Sequence, residues 1–445
     1  MSGGMQTLPP TQAPSSVEYG GDEISALVLD PGCAWTRAGF AGEDTPKCVI
    51  PSSYGAIGGK EDSKPELVFG DNGINAIRPG MEIKNPMSDG IVADWDVAPQ
   101  LWRHALTSRL ASNLSEHPLL MTEPAWNPPK NREKTMEIAF EDFDVPAFYL
   151  AKSAVCASFA SGKATCLLID IGASNVSVTP IHDGFVLRKG VTRTPLGGDF
   201  LSNQIRTYLA SINVPISAHY QILSKTAVDV GKPAEAVLRQ FAPGQEPTAS
   251  YKTYQEERVL TQFKECAAQV WNGPGPLPPA TTPGAADQSF NFGGGRTFEF
   301  PDGYNLVFGS ERFRITEGIF TPRNMLTHPD IPHPDPETTM GIGSIMASAL
   351  KDVDIELKGQ ILNNVLVTGG ASLLMGLTDR VNSELGVAFP GPRLRITATG
   401  NPVERKYAGW LGGSILASLG SFHQLWVSRK EYDEHGPGIV EKRCK

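Results

Sequence analysis

The sequence has no excess of basic residues: 39 Lys and Arg stand against 48 Asp and Glu, and the formal net charge is −9. A protein that holds nucleic acid mainly through its phosphates carries a surplus of positive charge. Direct DNA binding is therefore disfavoured as the principal activity. A local basic patch would escape this count, and we expect any nucleosome contact to be indirect.

Paired cysteines are also missing. The six cysteines in 445 residues are scattered and form no Cys-x-x-Cys pair. Structural zinc sites need ligand pairs at close spacing, so such a site is disfavoured. In a chain of this length the pattern predicts reduced, mostly buried thiols, as in cytosolic or nuclear proteins.

Long apolar runs and a leader pattern are absent as well. No run reaches the roughly 18 residues that a membrane-spanning helix needs, and we expect no membrane partner. Residues 1–23 have neither the basic start nor the apolar stretch of a secretory signal. They are rich in Gly, Pro, Ser and Thr, so we predict a disordered tail.

Three short apolar runs, 24–30, 166–170 and 364–370, each lead into a turn. The first two share a strand–Asp-x-Gly pattern, Asp30-Pro31-Gly32 and Asp170-Ile171-Gly172, and an apolar strand resumes after each. This self-similarity predicts two related α/β halves. Helices are predicted over 99–112, 131–143, 154–161, 200–211, 257–270 and 406–419.

Three segments interrupt this order. Residues 228–256 are polar and mixed, and residues 272–296 are rich in Pro and Gly. A third segment, 328–336, is a loop stiffened by prolines. We interpret the first two as surface insertions, since long segments without periodicity rarely belong to a packed core.

Glycine-bearing turns suit phosphate chemistry. They let backbone N–H groups approach phosphate oxygens, and an Asp at a strand end can hold a metal-bound water. Gly369-Gly370 supplies a third such turn. Taken singly, Asp30 or Asp170 is equally typical of an ordinary turn, so the set alone leaves both interpretations open.

The amino-acid sequence around these turns resembles that of actin. Segments 37–55, 116–134, 300–314, 365–377 and 404–440 are similar to actin segments, and the similarity runs from about residue 24 to 445 apart from the insertions. The chain is identified as a member of the actin superfamily. This implies an α/β actin fold, in which two RNase-H-like α/β halves of four subdomains surround a nucleotide cleft.

The resemblance also implies subdomain bounds. Subdomain 1 is expected to comprise 24–51, 87–160 and 407–445; subdomain 2, 52–86; subdomain 3, 161–196 and 338–406; and subdomain 4, 197–337, with insertions near 228–256 and 272–296.

The implied ligand is ATP with a divalent cation, Mg or Ca. The positions that match the family's nucleotide site are Asp30, Gly32, Cys33, Ala34, Arg37, Asp170, Gly172, Ala173, Lys264, Glu265, Gly369, Gly370 and Lys406. Asp30 and Asp170 would hold the metal through water. Cys33 replaces a serine, Ala173 an aspartate of the metal's water shell, and Leu374 a tyrosine beside the adenine. Arg37 could instead pair with a carboxylate.

Two departures bear on hydrolysis. The family's water-orienting glutamine falls at Ser153, whose hydroxyl is too short for that role, and Ala173 lacks the acid. Phosphoryl transfer depends on positioning and charge stabilisation, so we assign no catalytic residue and expect ATP binding with little or no turnover. A slow actin-like ATPase or sugar-kinase relative is the alternative from a different functional class.

A cytoskeletal filament protein is a further alternative. Polymerising actins grip the next subunit with a mobile apolar loop, but the matching residues 56–67 are charged and include Pro65. The resemblance therefore predicts a protein that does not polymerise, unless this segment is merely a variable loop.

The opposite end resembles actin's hydrophobic target cleft, at Phe159, Gly162, Phe185, Leu416, Leu419 and Leu425. Such a groove accepts an amphipathic partner helix. The alternative is core packing, because Leu416 and Leu419 are spaced as on one helix face.

Other features resemble the nuclear branch of the actin-related proteins. They are Pro31, Ala173 and the segments 122–128, 182–200 and 431–444. That branch pairs with monomeric actin on a scaffold helix in chromatin-remodelling and histone-acetyltransferase complexes. The resemblance implies a nuclear chromatin regulator of transcription and DNA repair, whose partners are actin, a helical scaffold segment and other subunits.

Overall fold

A computed structural model of the chain describes residues 25–58, 64–273, 277 and 294–445. The predicted tail 1–23, most of the predicted insertion 272–296 and the centre of the 56–67 loop lie outside the described residues.

The strands are β1 (Leu27–Pro31), β2 (Trp35–Phe40), β3 (Cys48–Pro51), β4 (Tyr54–Ile57), β5 (Glu66–Val68), β6 (Glu82–Lys84), β7 (Met87–Ser88), β8 (Ile91–Val92), β9 (Leu119–Glu123), β10 (Ala147–Lys152), β11 (Cys166–Ile171), β12 (Val176–His182), β13 (Phe185–Val186), β14 (Thr192–Thr194), β15 (Ile222–Thr226), β16 (Glu235–Leu238), β17 (Arg296–Glu299), β18 (Asn305–Phe308), β19 (Val365–Thr368), β20 (Ile396–Thr397) and β21 (Val427–Ser428).

The α-helices are α1 (Asp71–Ile74), α2 (Ala98–Arg103), α3 (Pro129–Glu137), α4 (Ser153–Ala160), α5 (Gly198–Ser211), α6 (Ala249–Cys266), α7 (Glu311–Glu317), α8 (Ile342–Ala349), α9 (Ile355–Leu362), α10 (Leu377–Ala388), α11 (Pro402–Lys406), α12 (Ala408–Ser418), α13 (Arg429–His435) and α14 (Val440–Arg443). None of the helices in the described ranges is both long and apolar enough to cross a membrane.

Two sheets carry the predicted repeat. The first has the strand order β21-β10-β9-β1-β2-β3, and the second has β13-β12-β11-β19-β20 with β14 paired to β12. In each, an Asp-bearing strand (β1 or β11) forms a hairpin with the next strand and runs parallel to a later one (β9 or β19). The α/β fold with two related halves is confirmed, because the same topology places both Asp-led turns at equivalent sheet edges.

Each sheet has its own apolar core, and two helices join them. The cluster of Ala154, Ala157, Leu168, Leu366 and Ala408 combines residues of α4 and α12 with residues of the second sheet. Helix α12 also packs on β1 and β9 of the first sheet. These two helices therefore form the bridge between the halves.

The bridge requires glycine at position 412. A Cβ atom built on Gly412 would lie 1.8 Å from the carbonyl oxygen of Cys156 in α4. No side chain fits in that space, so the two helices touch backbone to backbone.

Helix α6 begins eight residues before the predicted start. It starts at Ala249 rather than 257, so the C-terminal part of the predicted 228–256 insertion is helical. Thr248 caps it by accepting a hydrogen bond from the N–H of Tyr251, and Tyr251 and Gln255 are buried on one face. Apolar periodicity did not predict these first eight residues of α6, because one of the two buried residues among them, Gln255, is polar.

Three other predicted helices are interrupted. The 99–112 and 131–143 helices pass from α2 and α3 into π-helical segments, His104–Arg109 and Ile138–Asp142. The 406–419 helix is divided into α11 and α12 at Tyr407, whose φ of −114° and ψ of 17° end the first helix.

A buried ionic network fastens the C-terminal segment to the first sheet. The carboxylate of Glu123 accepts hydrogen bonds from Arg132 Nε at 2.8 Å and Lys152 Nζ at 2.6 Å, and all three side chains are buried. Arg132 also donates to the Glu441 carboxylate and to the carbonyl oxygen of Cys444. One guanidinium thus joins β9, α3 and α14.

We predict that Arg132→Met destabilises the fold by about 3–5 kcal/mol, because a buried carboxylate loses one of its two cations. The control is Lys134→Met on the same helix, where the pair with Glu137 is exposed and should contribute less than about 0.5 kcal/mol. The free energy of unfolding in urea measures both. Equal losses in the two variants would show that the network contributes nothing special.

Candidate functional site

The first turn joins β1 to β2 and orients Asp30. Arg37 stands opposite Asp30 in the hairpin and donates from Nη1 to Oδ2 at 2.7 Å. Thr122, at the end of β9, donates to the other oxygen at 2.5 Å. Both oxygens accept a hydrogen bond, so the carboxylate is fixed. The sequence alternative that Arg37 pairs with a carboxylate is what the structure shows.

The second turn places Asp170 near Asp30. Asp170 is the last residue but one of β11, between its neighbours on β12 and β19, and Thr368 Oγ1 lies 3.5 Å from its Oδ1. Burial, followed by the negative charge of Asp30, raises the pKa of Asp170 to about 6. The two Asp-led turns therefore lie close together.

The third turn packs on the second. Gly369 has a φ of +91°, and a Cβ there would lie 2.4 Å from the carbonyl oxygen of Ile171 and 2.5 Å from Asp170 Oδ1. Only glycine fits this position. At Gly370 a Cβ would meet nothing within 4 Å, so that face of the turn is open.

Direct contacts join the turns across the two halves. The hydroxyl of Ser174 in the second turn donates to Cys33 Sγ in the first at 3.3 Å, and the N–H of Gly90 donates to the same sulfur at 3.2 Å. Burial raises the pKa of the Cys33 thiol, which favours the neutral form. Cys33 therefore serves here as a packing and hydrogen-bonding residue.

An ion pair beside the turns also spans the halves. Asp89, in the tight β7–β8 turn, accepts from Arg193 at 3.0 and 2.7 Å and from Asn175 Nδ2 at 3.1 Å. The Arg193 guanidinium lies over the ring of Trp126, 5.2 Å from its centroid, and Trp126 donates to the Asp89 carbonyl. The pair holds β14 against the first half.

The turns offer hydrogen-bond donors without acceptors. Among the described residues, the backbone N–H groups of Cys33, Ala34, Ala173 and Ser174 donate to no acceptor. Arg37 Nε is buried and likewise has no partner within the described ranges. Unpaired N–H donors in two adjoining turns suit phosphate oxygens, so the residues present suit a phosphate chain.

The metal assignment rests on two carboxylates. In the part of the chain that the structure describes, no group of three or more His, Cys, Asp or Glu side chains could hold a metal ion. Asp30 and Asp170 remain the predicted pair, acting through water. Ala173 itself has no carboxylate that could take part.

Three of the positions matched to the family's nucleotide site make ion pairs: Lys264, Glu265 and Lys406. Lys264 Nζ lies 2.7 Å from Ser202 Oγ and 3.1 Å from Glu257 Oε1, while Glu265 pairs with Lys406 at 3.6 Å. Leu374 packs against two apolar clusters of the second half. These positions adjoin the turns, but their contact with a nucleotide stays a prediction.

Ser153 lies beside Asp30. A Cβ built on Gly409 of α12 would be 3.7 Å from both Asp30 Oδ1 and the Cβ of Ser153. Ser153 is the first residue of α4, so a short hydroxyl stands at the edge of the turns where the family's glutamine is expected.

Four predicted groove residues form an exposed apolar surface. Phe159, Phe185, Leu419 and Leu425 are 40%, 61%, 38% and 43% exposed. Phe159 lies on α4, Phe185 on β13 and Leu419 directly after α12, while Leu425 follows the 3-10 helix Gly420–Gln424; α4 packs against β13 and α12. Gly162, with a φ of +64°, turns the chain after α4, whereas Leu416 is half-buried against the core. Leu416 thus packs partly in the core, as the alternative interpretation predicted, whereas Leu419 does not.

Sequence reasoning missed several residues of this region. Thr122 orients Asp30, the Asp89–Arg193 pair ties the halves, and the N–H of Asp199 donates to the Ala173 carbonyl at 2.8 Å. Asp199 thus places a carboxyl group next to Ala173, and burial raises the pKa of that group. The Asp89-Gly90 pair is a turn signal in the sequence, but nothing local identifies its partner.

Known proteins are similar to this chain along nearly its whole length. The actin family model matches residues 21–445. Actin-related protein 4 of Emericella nidulans is 50% identical over 97% of this chain and 99% of that protein. Actin-related protein 4 of Schizosaccharomyces pombe is 43% identical over 97% and 100%. The SWI/SNF and RSC complexes subunit arp42 of the same yeast is 39% identical over 95% and 100%.

We predict that Asp170→Asn stabilises the nucleotide-free protein by about 1–3 kcal/mol at pH 7.5. The pKa of Asp170 is about 6 in the folded state and 3.8 ordinarily, so the folded state binds more protons and its stability falls as pH rises through this window. The advantage of the variant should vanish below pH 4. Urea unfolding between pH 3.5 and 8 measures it, and a constant difference at every pH would contradict the prediction.

Proposed function

This chain belongs to the actin family, and we propose that it is a non-polymerising nuclear subunit of chromatin-modifying complexes that binds ATP as a structural ligand. The resemblance to actin-related proteins is confirmed along nearly the full length. A relative of 39% identity is named as a subunit of SWI/SNF and RSC complexes, which supports a role in chromatin remodelling in the nucleus.

The observation that carries the ATP proposal is that both turns contain backbone N–H groups without acceptors and that the turns are in contact through Ser174 and Cys33. The first turn contributes Cys33 and Ala34, and the second contributes Ala173 and Ser174. A phosphate chain held by both turns would stabilise the folded protein with its two turns in contact. A ligand that binds only the folded form shifts the folding equilibrium towards it by mass action.

Asp30 and Asp170 would hold a Mg or Ca ion through its water. The bound cation would offset the charge of the phosphates. It would also lower the pKa of Asp170, which burial and the negative charge of Asp30 raise.

We propose that hydrolysis is slow. The Ser153 hydroxyl beside Asp30 is too short to hold a water in line with a phosphate, and Ala173 has no polar side chain. Positioning provides most of the catalysis in phosphoryl transfer. Single-turnover measurement with purified protein separates this from the ATPase alternative, since turnover as fast as actin's would reject a purely structural nucleotide.

The apolar surface of Phe159, Phe185, Leu419 and Leu425 suits an amphipathic helix. We propose that a scaffold helix of a remodeller or a histone-acetyltransferase subunit docks there, beside an actin monomer. The charged sequence of 56–67 supports a protein that stays monomeric in polymerising salt, which sedimentation can measure.

Nucleotide extracted from purified protein should be ATP or ADP at close to one per chain. We predict that Asp170→Ala lowers this content at least severalfold, because the phosphates lose the carboxylate that holds their cation. The control is Asp433→Ala, which removes an exposed carboxylate on α13, a helix that packs on β21. Equal nucleotide content in the three proteins would contradict the assignment.

We predict that Leu419→Asp reduces co-purification with a helical scaffold by at least tenfold, since a charge would replace an apolar contact. Val387→Asp on α10 is the matched control, because Val387 is 83% exposed and lies on a helix that packs mainly on α8. Nucleotide content should be unchanged in both. Unaltered scaffold recovery with Leu419→Asp would reject the docking site.

A further inference from the structure

The start of α5 is fixed against the second turn by backbone contacts. The N–H of Gly198 donates to the carbonyl oxygen of Gly172 at 2.9 Å. The N–H of the next residue, Asp199, donates to the carbonyl oxygen of Ala173 at 2.8 Å. A Cβ atom on Gly197 would lie 2.4 Å from that same oxygen, so a side chain at this position would collide with the turn. Asp199 therefore has a defined position beside the second turn.

The carboxylate of Asp199 has no partner within the described ranges. Asp199 is the second residue of α5, but its side chain does not cap the helix and accepts no hydrogen bond there. The charge of Lys264 on α6 acts on Asp199, yet the Lys264 ammonium bonds Ser202 and Glu257 instead. This carboxylate is therefore available to a ligand.

Asp199 faces a cleft that both turns line. Its side chain is exposed, yet burial among the surrounding residues raises its pKa. A group that is open to solvent and still closely surrounded by protein lies in a cleft. Burial is the main cause that raises the pKa of Cys33 in the first turn, and the negative charge of Asp199 adds to it. Asp199 thus lies near the first turn as well as the second.

The charges in this cleft make opposite demands on a ligand. The unpaired N–H groups of Cys33 and Ala173 suit phosphate oxygens, but a carboxylate without a partner beside them repels phosphate. Glu257 on α6 adds a second negative charge that acts on Asp199. A cation that lies between the carboxylate and the phosphates removes this repulsion. The cleft is therefore suited to an anion that arrives together with a cation.

We propose that Asp199 supplies a third carboxylate, beside Asp30 and Asp170, to the water shell of the divalent cation that accompanies the nucleotide. The inference rests on the proposed nucleotide binding. A carboxylate that holds Mg²⁺ through a water lies about 4.5–5 Å from the ion, so the three groups need not touch. Such contact through water does not require three carboxylates close enough to bind an ion directly, and the described residues contain no such group. Asp199 provides the charge that Ala173 cannot.

The test measures how much a cation tightens ATP binding. The dissociation constant of ATP is determined by calorimetry for the full chain, once in EDTA and once in saturating Mg²⁺, and the ratio of the two constants is the cation factor. Asp199→Asn keeps the size of the side chain and removes its charge. Loss of a group that acts through a metal's outer shell typically costs ten- to a hundredfold in metal affinity. By linkage, the cation factor should fall by about the same ten- to hundredfold.

Two further variants control this measurement. Asp183→Asn removes an exposed carboxylate that follows the far end of β12, in a backbone conformation that Asn also adopts, and it should leave the cation factor unchanged. Ala173→Asp/Asp199→Asn returns a carboxylate to the second turn from its other side, and it should recover most of the factor. A factor that stays low in this double variant would show that Asp199 acts on the fold of α5, and would overturn the assignment.

The outcomes also separate this inference from the proposed function. If the unmodified chain binds ATP and Asp199→Asn leaves the cation factor unchanged, the role of Asp199 is rejected and the nucleotide proposal stands. If Asp199 only repelled phosphate, its replacement would tighten ATP binding equally in EDTA and in Mg²⁺, and the factor would again be unchanged. If the unmodified chain binds no ATP under either condition, both proposals are rejected.

Discussion

The backbone contact between α4 and α12 is the constraint on which the rest of the structure depends. Gly412 lies so close to Cys156 that a side chain would collide with the carbonyl oxygen. One helix face of this pair packs on the first sheet and another on the second. Because both sheets are held by the same two helices, the Asp-led turns at their edges are brought to face each other.

The same helix pair also positions the apolar surface. Ser153 begins α4 and Gly409 lies in the first turn of α12, both near Asp30, while Phe159 and Leu419 lie at the other ends. An eight-residue helix spans about 12 Å, so the candidate nucleotide site and the candidate helix groove are only that far apart along α4. Two surfaces with different chemistry are thus fixed by one piece of packing.

Electrostatics explain why the turns suit a ligand. Asp30 and Asp170 repel each other, and Arg37 compensates Asp30 directly. Burial leaves Asp170 with a raised pKa, which disfavours the folded state at neutral pH. A site of this kind is stabilised by a cation, and the unpaired N–H groups around it are stabilised by an anion. The contacts of Asp89 then hold the two halves around that site.

The sequence by itself determined the fold class, the family and the paired turns. Strands β1, β11 and β19 lie where their apolar runs predicted them, and the Asp-x-Gly repeat predicted two equivalent sheet edges. Burial of consecutive apolar residues is a local signal, so it can be recognised without a structure. The nucleotide residues came from the resemblance, and only their placement around the turns is visible in the structure.

Only the tertiary structure decided which polar side chains meet. Asp89 and Arg193 are 104 positions apart, and Asn75 and Arg258 are 183 apart. The start of α6 at Ala249 depends on the same effect, because Gln255 is buried by its bond to Asn75 rather than by apolar periodicity. A hydrogen bond depends on distance and angle in space, and the order of residues along a chain specifies neither until the core has packed.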